Sequence, residues 1–124
     1  MKISMKISTS ACVALLSLAG ISPAFAHAFL VHASPAVGST VATPPAVLVL
    51  SYTEDLEVPF CTVTVTNGTG TQVQTAKPQA VPGHPAELRV PLHITAPGKY
   101  HVTWHALSVD THKTQGDFNF TVSQ

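Results

Sequence analysis

Seven histidines stand in a chain that has one tryptophan and two tyrosines, so metal coordination is the first chemistry to weigh. They are His27, His32, His84, His93, His101, His105 and His112. Abundance alone says little, because an exposed histidine needs no special role, and spacing must separate ligands from surface residues. Asp110-Thr111-His112 sets a carboxylate two residues from an imidazole, and on an extended segment residues i and i+2 share a face. Alone, an Asp-x-His reads equally well as a turn aspartate beside a solvated histidine.

His27 takes its interest from what precedes it. Lys2 and Lys6 lie in a polar start, an apolar run follows from Ala11 to Ile21, and Ala24-Phe25-Ala26 puts small residues where a signal peptidase reads. The run is about 11 residues, short of the roughly 20 needed to cross a bilayer, so the expectation is a cleaved secretory signal over residues 1–26 and not a retained anchor. Cys12 precedes most of the run, the wrong side for a lipidated terminus. Cleavage between Ala26 and His27 would leave a domain over residues 27–124. His27 could then close a chelate ring through its α-amine and Nδ1, an option that no internal histidine has.

The His27 amine and imidazole, the His112 imidazole and the Asp110 carboxylate make an N3O set that suits tetragonal Cu(II), one ion per chain. Zn(II) could use the same donors in a tetrahedron, but the planar bite and the Irving–Williams order favour copper. Cu(I) prefers sulfur, and after cleavage no methionine remains and Cys61 is the one thiol, so no separate Cu(I) site is expected. The other histidines lack a partner at useful spacing. His101 and His105 share a strand face about 13 Å apart at roughly 3.4 Å per residue, too far to hold one ion, and read as solvent-facing. His105 approaches the metal only if its strand bends near Leu107. His32, His84 and His93 read as surface residues.

Charge narrows the function classes. The chain has a formal net charge of zero and a pI near 7.1, which gives no basic surplus for nucleic acid or acidic lipid. Without the leader, Lys77, Arg89, Lys99 and Lys113 face six acidic side chains, so the processed chain is mildly acidic. With 45% hydrophobic and 10% charged residues the chain is too apolar for disorder. A lone Cys61 allows no internal disulfide, so the core must hold the fold unaided. No second apolar span follows, which predicts a soluble product outside the cytoplasmic membrane, without direct membrane insertion.

The elements that must position these residues are short β-rich runs punctuated by Pro, Gly and Asn, with no sustained 3.6-residue apolar period. Seven strands are expected, over 28–33, 46–53, 61–66, 71–75, 86–92, 98–107 and 116–122. Asn67-Gly68-Thr69-Gly70 reads as a tight hairpin turn and Pro97-Gly98 as another, while 77–85 reads as a loop. Alternation places Cys61, Val63 and Val65 on one face, Tyr100, Val102, Trp104 and Ala106 on a second, and Phe118, Phe120 and Val122 on a third. Cys61 is then a small buried hydrophobe rather than a reactive thiol. An antiparallel all-β sandwich of immunoglobulin-like or cupredoxin-like type buries these faces most simply.

Beyond these patterns, His27-Ala-Phe-Leu-Val31, Ser34-Pro-Ala-Val-Gly-Ser39, Tyr52-Thr-Glu-Asp-Leu56, and the run from Tyr100 through Trp104 to Asp110-Thr-His112 and on to Val122 resemble the CopC family of bacterial periplasmic copper-binding proteins. The resemblance spans nearly all of the chain after Ala26. It implies a seven-stranded Greek-key β-sandwich or barrel binding Cu(II) through His27, Asp110 and His112, in agreement with the donor argument. It also implies a periplasmic location, with Glu54 at the family's acidic position hydrogen-bonding the bound amine or a water. Some members add a methionine-rich Cu(I) site that this sequence lacks, and where relatives often have arginine after the tryptophan this chain has His105.

Three functions remain in view. The first is a carrier or buffer, not an enzyme, that sequesters Cu(II) for resistance or passes it to a membrane copper importer of the CopD type. The second is an oxidative copper enzyme built on an N-terminal histidine, against which a directly bound Asp110 would occupy a position that oxygen needs. The third is a structural or adhesive sandwich with incidental histidines, since a fold by itself fixes no function.

Overall fold

The computed structural model describes residues 27–124; the expected leader over residues 1–26 and its Ala26/His27 boundary lie outside the described residues. The strands are β1 (Leu30–Ser34), β2 (Thr40–Val41), β3 (Val47–Tyr52), β4 (Thr62–Thr66), β5 (Gln79–Val81), β6 (His84–Pro91), β7 (Gly98–Leu107) and β8 (Lys113–Val122). A single 3-10 turn, Val58–Phe60, stands before β4. Among the described residues no helix is long and apolar enough to cross a membrane.

Two four-stranded sheets face each other, one ordered β1-β3-β6-β5 and the other β2-β8-β7-β4. Every pairing is antiparallel except the short parallel contact of β2 with β8. Period-two alternation decides what lies between the sheets. Leu48, Leu50, Leu88 and Val90 come from the first sheet; Val63, Val65, Val102, Trp104, Phe118, Phe120 and Val122 come from the second, and all are buried. Each such side chain removed from water contributes roughly 1.5–3 kcal/mol. Tyr52 meets Trp104 edge-on across the interior, with ring centroids 5.2 Å apart. The three apolar faces expected from alternation are therefore the core.

The structure has eight strands where seven were expected, the short β2 being the addition to the count, and β8 begins at Lys113 and not at residue 116. Residues 71–75 make no ladder, because the segment passes from one sheet to the other: Gln72 bridges Thr66 of β4, and Gln74 bridges Leu92 just past β6. The Gln74 side chain accepts the Val65 N–H at 2.9 Å, so it covers a donor of edge strand β4 that a neighbouring strand would otherwise take. The expected loop over 77–85 holds β5 and the start of β6, turning at Gly83 with φ +78°. Three residues of strand are too few to show alternation in a sequence.

The longest pairing positions the candidate site. β7 and β8 form an unbroken ladder from Gly98↔Val122 to Leu107↔Lys113, so residues 108–112 are a connection at one end of the sandwich.

Candidate metal centre

Three segments meet at that end: residues 27–29, the connection after β3, and the 108–112 loop. Thr53 ties the first to the second. Its hydroxyl donates to the His27 carbonyl at 2.7 Å and accepts the Phe29 N–H at 3.0 Å, while its own N–H donates to the Phe29 carbonyl at 2.9 Å. From the opposite sheet, the Thr114 hydroxyl donates to the Ala28 carbonyl at 2.8 Å. Ala28 itself is fully buried. The backbone that follows the His27 Cα is thus held by side chains from β8 and from the residue just after β3.

The 108–112 loop is built around Ser108, the one buried polar residue among those described. Its N–H donates to the His112 carbonyl at 3.0 Å and its carbonyl accepts the Thr111 N–H at 2.9 Å, which closes a tight turn. Its hydroxyl donates to the Asp110 carboxylate and accepts the His112 N–H at 3.3 Å. Thr111 takes a left-handed conformation, φ +72°. The loop also joins the second segment, since the Val109 N–H donates to the Asp55 carbonyl at 3.0 Å.

The turn corrects the extended geometry expected for Asp110-Thr111-His112. The two side chains come together because positive φ at Thr111 folds the loop back, not because strand alternation aims them at one face. Their atoms are close: His112 Nδ1 lies 3.1 Å from an Asp110 oxygen. The Ser108 hydroxyl, and after it His112, hold the Asp110 carboxyl below the usual carboxylate range.

His27 completes the group. Its ring centroid lies 4.7 Å from that of His112, with planes 79° apart, and the Phe29 ring packs edge-on against it at 5.7 Å. Two imidazoles and one carboxylate from distant parts of the chain are thus neighbours, with both histidines partly shielded from solvent. Among the described residues no three His, Cys, Asp or Glu side chains form a complete cluster for a metal ion.

The CopC domain family matches residues 30–123, nearly all of the described chain. The chain belongs to the CopC family. Protein YobA of Escherichia coli K12 is 33% identical over 112 residues, covering 89% of this chain and 90% of the relative. Copper resistance protein C of Xanthomonas campestris pv. juglandis is 33% identical over 122 residues, covering 94% of each. The crystal structure of CopC from Methylosinus trichosporium OB3b superposes with a TM-score of 0.73 at 31% identity, covering 78% of this chain and 94% of that one. Family membership makes this a copper-related β-sandwich.

Within the CopC frame the remaining histidines are dispersed. His105 is exposed on the outer face of its sheet, 3.4 Å from the Thr62 hydroxyl, and β7 pairs with β8 without a register shift through Leu107. His101 is more engaged than expected: its ring contacts Asn119 Oδ1 at 2.7 Å and Asp117 Oδ2 at 3.3 Å. His32, His84 and His93 are exposed as expected. Glu54 is half-buried between Thr53, which holds His27, and Asp55, which holds Val109.

Cys61 is buried, its thiol donating to the Glu57 carbonyl at 3.4 Å and accepting the Leu107 N–H at 3.5 Å. Burial pushes the thiol above its ordinary range, which suits a core residue and not a ligand. The residues that sequence reasoning missed are Thr53, Ser108 and Thr114. Each is a small hydroxyl residue beside a strand end, a pattern too common to single out without the loop it closes.

Proposed function

We propose that this protein is a periplasmic Cu(II) carrier or buffer, binding one ion per chain through His27, Asp110 and His112, for copper resistance or for delivery to a CopD-type membrane importer. The observation that supports it most is the convergence of His27 and His112, with ring centroids 4.7 Å apart beside the Asp110 carboxylate. On this reading the α-amine that cleavage before His27 would create is a further donor beside these side chains. Glu54 occupies the connection between the two arms and is assigned to a water or the bound amine. His105 lies outside the group.

Cu(II) is favoured over Cu(I) because the donors are nitrogen and oxygen and residues 27–124 contain no methionine. A carrier is favoured over an oxidative enzyme because Asp110, if it held the ion, would supply an anionic donor that favours the oxidised metal and would fill a position that oxygen needs. The names of the copper resistance relatives point the same way.

The test is a Cu(II) titration followed by electron paramagnetic resonance on chain beginning at His27, beside a form with one extra residue ahead of it. One tetragonal, nitrogen-rich Cu(II) bound tightly by the first form alone is the expected result. Identical behaviour of the two forms overturns the assignment of His27.

A further inference from the structure

We infer that the end of the sandwich carrying His27 and His112 is a docking face for a second protein, one whose matching surface is basic around an apolar centre. The inference rests on the carrier reading, since a bound ion would leave through this face. Five large hydrophobic residues are exposed among those described, and three belong to the segments that build the site: Phe60 at 70%, Phe29 at 55% and Val109 at 52%. None sits on a loose chain. The Phe60 N–H donates to Glu57 O, the Val109 N–H to Asp55 O and the Phe29 N–H to the Thr53 hydroxyl. An apolar side chain carried on backbone held in this way costs less ordering entropy when a partner covers it than one on a loose loop. Beside Phe60, a hollow of about 450 Å³ lined by Leu107, His105, Lys113 and Thr114 opens toward solvent. A single apolar side chain of a partner could fill it.

Charge selects the occupant. Apart from the residues assigned to copper, the same segments carry Asp55 and Glu57, both exposed, with Lys113 beside them at the start of β8. A second copy docking end to end would bring these carboxylates against one another, which disfavours self-association, whereas a surface rich in Lys and Arg would be drawn to them. The other exposed hydrophobics, Val31 and Val37, line a separate hollow beside β1 and serve as the internal control.

The experiment places a photo-crosslinking phenylalanine analogue at Phe60, Val109 or Val37 of the full chain in the source cells, with and without Glu57→Lys. The expected result is one non-self product from positions 60 and 109, at least about fivefold above position 37. The contacted segment should be rich in Lys and Arg, and Glu57→Lys should lower the yield at least about fivefold. Self-crosslinks, equal yield at position 37, a contacted segment without basic residues, or indifference to Glu57→Lys each overturn the proposal. Cu(II) titration of Glu57→Lys and Phe60→Ser keeps the two readings apart. Both should bind copper as the parent does, so lost crosslinking with retained copper supports a docking face separate from the copper ligands, a parent that binds copper but shows no preferred crosslink overturns the docking face alone, and a parent that binds no copper overturns the carrier.

Discussion

The Ser108 hydroxyl donates to the Asp110 carboxylate from a fully buried position, so a core residue sets the orientation and charge of a surface acid. The same hydroxyl accepts the His112 N–H, which makes Ser108 the common anchor of both loop residues assigned to copper. Replacing it by alanine leaves Asp110 free to turn toward solvent. Ser108→Ala should lower Cu(II) affinity roughly 10–100-fold, as loss of a supporting hydrogen bond typically does. It should also raise the Asp110 pKa toward the ordinary value, observed by carboxyl chemical shifts across an acid titration.

Removing a ligand should do more than removing its support. Asp110→Ala and His112→Ala are each expected to weaken Cu(II) binding by at least about 100-fold while leaving the circular dichroism of the sandwich unchanged, because both side chains lie outside the core. Unaltered affinity in either variant would place the ion elsewhere.

Acid should release copper before it protonates away the Asp110 contribution. Coordination needs deprotonated imidazoles and α-amine, so binding should fall steeply below about pH 5. Asp110 has a depressed folded pKa, so its share of stability is present above the unfolded carboxylate value of about 3.9 and is lost only as pH drops through the lower folded value. A copper-binding curve and an apo-protein unfolding curve against pH should therefore separate, the first midpoint lying higher. Coincident midpoints would mean that release is only unfolding.

At the alkaline side the sign reverses. Burial raises both the Cys61 thiol and the Tyr52 hydroxyl, so the folded chain holds these protons more tightly than the unfolded one. Stability from each is fully present below its unfolded pKa, about 8.5 for the thiol, and is lost as pH rises toward the folded value. Native Cys61 should resist alkylation at pH 8 and react fully in denaturant. The buried Tyr52 hydroxyl has no hydrogen-bond partner among the described residues, so Tyr52→Phe should raise stability by about 1 kcal/mol in denaturant unfolding.

Packing gives a test independent of metal. A Cβ at Gly116 would lie 2.6 Å from Trp104 Cζ2 and 2.9 Å from Cε2, inside contact distance of a ring that is itself packed against Tyr52. Gly116→Ala should cost about 1–3 kcal/mol and shift the emission of the chain's one tryptophan. Unchanged stability and emission would show that the indole has room to move.

Much of this molecule follows from the sequence alone, and the reason is periodicity. Alternation through Tyr100-Val102-Trp104-Ala106 and Phe118-Phe120-Val122 names the buried faces because side chains on a strand point to opposite sides in turn. That is a local property, and it survives whatever the strand pairs with. The donor types at His27, Asp110 and His112 were legible for the same reason, since coordination chemistry belongs to the residue itself.

Proximity belongs to the fold. His27 meets His112 only because Thr53 and Thr114, from different sheets, grip the backbone beside it, and because the β7–β8 ladder ends where it does. Asp110 meets His112 through positive φ at Thr111 and a buried Ser108, neither of which leaves a mark in alternation. The segment over 71–75 shows the same limit, reading as a strand by composition but shared between two sheets and so belonging to neither. Residue type and face were set locally, whereas the meeting of distant residues had to await the pairing of the strands that carry them.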